Sequence, residues 1–205
     1  MLNIHGRDAV SKALEPLGTR LARAGVSPDA ITVVGTVVAV AGAVVFFPRG
    51  WWLAGTLVIT AGVLLDIVDG AVARASGNPT KFGAVLDSTC DRIADAAIFG
   101  AVAWYFARHG QRWMLLAALL CLVLGSLTSY IRARAEAADM HATVGIAERA
   151  ERLIIGLVGT GFTGFGVPFI LAIALWLLVA ASTITVWQRI ATVYRQGREL
   201  NRTQA

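Results

Sequence analysis

The stretch Asp66–Asp91, DIVDGAVARASGNPTKFGAVLDSTCD, decides how the rest of the chain is read. It carries four aspartates, Asp66, Asp69, Asp87 and Asp91, and is flanked by long apolar runs. A carboxylate at the centre of a bilayer costs at least ~2.5 kcal/mol on insertion scales. Four of them in one short stretch require a compensating cation or a water-filled cavity. Asp66 and Asp69 are spaced i, i+3, and Asp87 and Asp91 i, i+4, so each pair shares one face of a helix. The turn-rich link GNPTKFG (Gly77–Gly83) makes the two helices antiparallel neighbours, and both pairs can face one gap. Opposed carboxylates repel one another, and oxygen-only ligands favour Mg2+, Mn2+ or Ca2+ over zinc. Two ions bridged by shared carboxylates would suit phosphoryl chemistry.

The composition agrees with a membrane setting. Of 205 residues, 57% are hydrophobic and 15% charged, well outside the range of soluble domains. Apolar runs of roughly 18–25 residues match the ~30 Å of hydrocarbon that a helix must cross. The expected fold is all-α, an integral membrane protein of six transmembrane helices forming a single domain over residues 1–205. The spans are predicted near Ile31–Phe47, Trp51–Ala75, Gly83–Ala107, Trp113–Ala137, Ala147–Phe165 and Pro168–Ile190. Within residues 1–25, Val10, Leu14, Leu17 and Leu21 recur at helical spacing among basic residues, which predicts an amphipathic juxtamembrane helix. Residues 26–190 form the six-helix core and residues 191–205 a basic cytoplasmic tail. Trp51 and Trp52 are placed as interfacial anchors. The N-terminal MLNIHGRDAVSKALEPLG is too polar for a cleaved signal peptide.

The net charge of +5 comes from basic residues beside the apolar runs. It reads as topogenic charge and headgroup contact, with no motif for nucleic acid. Arg7, Lys12, Arg20, Arg23, Arg74, Lys81, Arg132, Arg134, Arg149, Arg152 and the tail arginines fall on one side. Arg49, Arg108 and Arg112 fall on the other. This bias places both termini and the aspartates in the cytoplasm, on a multi-pass protein of the cell membrane. Cys90 and Cys121 lie in apolar surroundings without a Cys/His grouping and read as buried small hydrophobes. His5, His109 and His141 are scattered, at expected solvated or headgroup positions.

Small residues fill the intervals of the acidic stretch: Gly70, Ala71 and Ala73, then Gly83 and Ala84. Such residues serve close helix packing, or let a ligand lie directly against the helix, with Arg74 and Lys81 neutralising its phosphates. At this point the stretch resembles the signature of the CDP-alcohol phosphotransferases, D-x-x-D-G-x-x-A-R-x8-G-x-x-x-D-x-x-x-D, at every fixed position. The matching residues are Asp66, Asp69, Gly70, Ala73, Arg74, Gly83, Asp87 and Asp91. Six spans are also that family's layout. The resemblance implies a transferase of the EC 2.7.8 type, which moves the phosphoalkyl group of a CDP-linked lipid to an acceptor hydroxyl and releases CMP. It implies that Asp66, Asp69, Asp87 and Asp91 hold Mg2+ or Mn2+, two ions per active site, with Asp91 also the general base. It further implies that CDP-diacylglycerol is contacted by Asp29, Ala30, Ile31, Thr32, Asp66, Asp69, Gly70, Ala73, Arg74, Thr80 and Gly83, and that the protein is a homodimer. The physical logic agrees: metals polarise a pyrophosphate and stabilise its leaving group, and a carboxylate at the cluster's edge takes the hydroxyl proton. Asp95, one turn beyond Asp91, lies outside the signature; it either supports a ligand or bonds a neighbouring span.

The signature does not name the acceptor. Arg132, Arg134, Arg149 and Arg152, interleaved with Glu136, Glu148 and Glu151, form a guanidinium-rich cluster that suits a phosphomonoester, although a single arginine at a membrane end is commonly topogenic or snorkelling. SYIRARAEA (Ser129–Ala137) followed by ERAERLI (Glu148–Ile154) resembles the actinobacterial branch of the family that makes phosphatidylinositol phosphate. That resemblance implies inositol 3-phosphate (1L-myo-inositol 1-phosphate) as acceptor, with Arg132, Arg152 and Arg195 on its phosphate and Arg134 nearby. The alternatives are a phosphatidylglycerophosphate synthase using glycerol 3-phosphate, a non-catalytic lipid binder, and a cation-coupled transporter. Transport predicts acids dispersed along the membrane and internal repeats, whereas these acids gather at one end.

Overall fold

In a computed structural model, Pro16, residues 18–75 and residues 80–203 are described, and the architecture is all-helical, with no strand among them. The elements are α1 (Pro28–Phe46), α2 (Trp52–Ala75), α3 (Lys81–Arg108), α4 (Arg112–Glu136), α5 (Arg149–Gly164) and α6 (Ile170–Thr203), with a 3-10 turn over Phe47–Arg49. Most of the juxtamembrane helix expected within residues 1–25 lies outside the described residues; residues 18–23 are helical. The Ser76–Pro79 part of the acidic hairpin's link also lies outside them.

Pro28–Arg49, Trp52–Ala75, Arg112–Glu136 and Ile170–Leu200 are long and apolar enough to cross a bilayer. α3 has the length, at 28 residues, but carries Lys81, Asp87, Asp91, Arg92 and Asp95 in its first half. α5 has only 16 residues, short of the ~20 that a perpendicular span needs. Hydroxyls inside the apolar helices are satisfied locally: Thr36, Thr60, Ser126 and Thr183 donate to the carbonyl four residues back at 2.7–2.9 Å, as a water-free surrounding demands. Two expectations differ from the structure. The sixth helix does not stop at Ile190 but runs on to Thr203, because no glycine or proline before that point breaks its backbone pattern except Gly197, which a helix tolerates. Trp52 is not an interfacial anchor. It is 7% exposed, edge-on to Tyr105 at 4.6 Å and stacked with Phe106 at 6.2 Å, while Trp51 keeps the exposed position.

The described residues fall into two compact units, one drawn from Met1–Phe46 and Ala54–Ile98, the other from Phe47–Leu53 and Phe99–Ala205. In the first, α1 and α2 approach at backbone distance. A Cβ on Gly62 would lie 2.6 Å from Gly35 O and 2.8 Å from Ala39 N, and one on Gly42 would lie 2.9 Å from Val58 Cγ1. Gly18, before α1, meets Ala71 in the same way, at 2.8 Å. Without a hydrophobic drive between helices in lipid, such small-residue contact is a main source of association. In the second unit, α6 packs against α4 and α5, with Gly159 of α5 against Ala174 of α6. Cys90 and Cys121 are buried free thiols, as expected.

Gly62→Ala is therefore expected to lower thermal stability in detergent by about 1–3 kcal/mol, the usual cost of overpacking. Gly100→Ala in α3, where an added Cβ meets nothing within 4 Å, is expected to be neutral or stabilising by up to ~1 kcal/mol. Thermal unfolding of the two variants side by side checks both.

Candidate active site

The α1–α2 contact sets the register of the first unit's polar end. One turn before Gly35, Thr32 is 5% exposed and its hydroxyl hydrogen-bonds Asp69 Oδ2, while also lying 3.2 Å from Pro28 O. Asp69 is 7% exposed. Carboxylate oxygens of Asp66, Asp69 and Asp87 all lie within 4.8 Å of one another. Two come from α2 and one from α3, so the hairpin gathers both arms as its spacing required. The trio fits a divalent metal: three hard oxygen donors of like charge converge at a range where they repel unless a cation lies among them. Asp91, expected as a fourth ligand, stands one helical turn past Asp87 and is not part of this trio.

Three of the residues expected to contact CDP-diacylglycerol meet at the start of α3. Thr80 Oγ1 caps that helix by accepting the Gly83 N–H at 2.9 Å. A Cβ on Gly83 would lie 3.0 Å from Thr80 Oγ1 and 3.1 Å from Asp29 Oδ1, so Asp29, Thr80 and Gly83 share one locus. On α2, the face of Gly70 is left open except for Arg74 Nη1, 3.3 Å from where a Cβ would be. Ala30 is exposed and Ile31 half-buried. Asp95 is buried and pairs with Arg92 at 3.3 Å, a partner that the sequence reading passed over. The i, i+3 spacing of Arg92 and Asp95 could have revealed it.

In the second unit the acceptor arginines separate. Arg152 is 2% exposed, and its Nη1 donates to Thr128 Oγ1 at 3.1 Å. Gly125 makes room for it, since a Cβ there would lie 3.1 Å from Arg152 Nε. Arg132 is exposed and held by Glu136 at 2.9 Å. Arg134 and Arg195 are exposed as well. Arg189, on α6 just before the residues expected as a tail, is 3% exposed. It donates through Nε to Val144 O at 2.9 Å and through Nη1 to Thr128 O. Its charged surroundings include Glu148, Arg132, Arg152 and Glu136. Thr128 thus ties two buried guanidinium groups to α4. Nothing in the local sequence marks Arg189, because its partners lie 45 and 61 residues away.

Comparison with known proteins agrees with this geometry. Residues 25–194 match the sequence model of the CDP-alcohol phosphatidyltransferase family. The phosphatidylinositol phosphate synthase of Streptomyces avermitilis is 46% identical over 213 residues, covering 100% of this chain and 87% of that one. The enzyme of the same name from Mycobacterium marinum is 47% identical over 194 residues, covering 92% and 82%. The crystal structure of Mycobacterium tuberculosis phosphatidylinositol phosphate synthase with CDP-DAG bound superposes with a TM-score of 0.84 at 45% identity, covering 89% of this chain and 94% of that one. The same enzyme in complex with manganese and citrate gives 0.84 at 46% identity, covering 88% of each. The chain is a membrane-embedded transferase and belongs to the CDP-alcohol phosphatidyltransferase family.

Proposed function

We propose that this protein is a phosphatidylinositol phosphate synthase, transferring the phosphatidyl group of CDP-diacylglycerol to a hydroxyl of inositol 3-phosphate with release of CMP. The observation that carries the reading is near-full-length identity of 46–47% to relatives of that name, together with the convergent aspartates that the chemistry requires. Asp66, Asp69, Asp87 and Asp91 would hold Mg2+ or Mn2+, two ions per active site. When bound, the metal supplies positive charge to the pyrophosphate and to the departing CMP. Thr32, hydrogen-bonded to Asp69, keeps that carboxylate turned toward its two neighbours. Asp29, Ala30, Ile31, Thr32, Gly70, Ala73, Arg74, Thr80 and Gly83 receive the cytidine diphosphate, where the missing side chains of the glycines leave the backbone open and Arg74 meets phosphate.

Asp91, at the edge of the trio, acts as general base. It takes the proton of the acceptor hydroxyl as that oxygen bonds to the phosphatidyl phosphorus and the bond to CMP's phosphate oxygen breaks. The acceptor's phosphate falls to Arg132, Arg134, Arg152 and Arg195. Of these, Arg152 is the one already desolvated, so a charge-assisted bond to it is least screened. The basic bias of the span ends supports six spans with both termini and the active site on the cytoplasmic side of the plasma membrane. On this reading α3 and α5 are the fifth and sixth spans that length and composition alone do not single out. Membrane lipids surround the protein, which works as a homodimer.

Asp69→Asn is expected to abolish or weaken Mn2+ binding by at least about tenfold, measured by electron paramagnetic resonance of free Mn2+, because it removes a charged ligand. Asp91→Asn is expected to bind CDP-diacylglycerol normally while CMP release falls by about 100-fold or more, the usual scale for a lost general base; normal turnover in that variant would remove Asp91 from the role. CMP release from CDP-diacylglycerol, compared for inositol 3-phosphate, glycerol 3-phosphate, free inositol and serine, is expected to be fastest with inositol 3-phosphate. A preference for glycerol 3-phosphate would reassign the acceptor, and release with none of the four would overturn the reading.

A further inference from the structure

The segment between α4 and α5 forms no helix over residues 140–148, yet it is tied to α6 at three heights. Gln196 Oε1 accepts the His141 N–H at 2.8 Å, and Gln196 Nε2 donates to His141 O at 2.6 Å. Arg189 Nε donates to Val144 O. Thr185 Oγ1 accepts the N–H groups of Ile146 and Ala147 at 3.1 and 3.0 Å, and donates its own proton to Ala181 O at 2.9 Å. Gly145, at φ 143°, is pressed so closely on Thr185 that any Cβ would collide with its methyl group.

Residues 185, 189 and 196 fall within about 40° of one another around α6 at 3.6 residues per turn. The segment therefore runs antiparallel along a single face of that helix. Eleven residues of helix rise about 16 Å, and the five or six residues from His141 to Ala147 reach about 17–20 Å when extended. Fully extended, the strap is only slightly longer than the rise of helix that it follows. Its far end, Ala147, directly precedes Glu148, the N-cap of α5, which makes no side-chain capping bond. The direction of α5's first turn, which carries Arg152, is thus set by the strap rather than by a local capping bond.

We propose that Gln196 is a positioning residue for the acceptor-phosphate site: its carboxamide tethers the near end of the strap and so aims Arg152. The inference rests on the assignment of Arg152 to the acceptor phosphate. Only a side chain with a donor and an acceptor on one planar group can grip both the N–H and the C=O of His141. Glutamate keeps the acceptor and loses the donor; methionine keeps the length and loses both. Gln196 belongs to the second unit and takes no part in the aspartate cluster.

The test is steady-state kinetics of Gln196→Glu and Gln196→Met in the full-length protein, with Mn2+ binding as the measure of an intact aspartate site. The acceptor KM is expected to rise about tenfold, while kcat, the KM for CDP-diacylglycerol and Mn2+ affinity stay within about twofold. Combined with Arg152→Ala, either variant is expected to add nothing to the KM rise caused by Arg152→Ala alone, since both act through one guanidinium. An unchanged acceptor KM, an additive double variant, a parallel rise for both substrates, or loss of Mn2+ binding in both variants would each overturn the proposal. If Arg152→Ala itself leaves the acceptor KM unchanged, the assignment of Arg152 fails and the positioning role fails with it. An Arg152 effect without a Gln196 effect removes the positioning role alone.

Discussion

Like charges gathered at close range are the constraint around which the first unit is built. Carboxylate oxygens of Asp66, Asp69 and Asp87 lie within 4.8 Å of one another, at one end of the two helices α2 and α3. Left to themselves such groups would separate or take up protons. The fold removes the first option by packing. Gly35 and Gly62 bring α1 and α2 to backbone contact, and that contact carries Thr32 onto Asp69. Thr80 begins α3 by capping it, and Asp29 lies against Gly83 beside that cap. Thr32 holds Asp69 among the acids through a neutral hydroxyl, and a cation among the three carboxylates would relieve their repulsion.

The second unit solves the opposite problem. Arg152 and Arg189 are buried cations, and burying a charge is costly unless hydrogen bonds replace its water. Thr128 supplies both a hydroxyl and a carbonyl, and Val144 a further carbonyl. Gly125 supplies only space. These hydrogen bonds hold the guanidinium planes in fixed directions, with Glu148 and Glu136 among the charged groups around Arg189. Such an arrangement is expensive as pure scaffolding, because apolar side chains of the same volume would pack there at less cost. The strap from His141 to Ala147 belongs to the same unit: its backbone groups bond to Gln196, Arg189 and Thr185 of α6.

Much of the site was legible because it is local. The eight fixed positions of the acidic stretch carry their own geometry: helical spacing puts two acids on each arm, and a short turn-rich link forces the arms together. The buried cysteines follow from their apolar surroundings in sequence alone. What escaped was of another kind. Trp52 and Trp51 are adjacent and identical, and only the rings of Tyr105 and Phe106, more than fifty residues on, decide which is buried. The helix continuing past Ile190 escaped because polar composition was read as a tail, although arginine and glutamine are good helix formers.

By itself, then, the sequence determined the all-helical membrane class from its composition, the pairing of the acidic arms from their spacing, and the family from the resemblance of that stretch to a known signature. Tertiary structure decided which arginines matter. Arg189 and Arg195 are indistinguishable as letters near the end of a basic helix. Packing of α6 against α4 and α5 buries the first among carbonyls and leaves the second at the surface. It also decided that Gly35, Gly62 and Gly125 are places where another chain segment or guanidinium must fit. Burial and close approach are relations between residues far apart in the chain, so no local pattern can encode them.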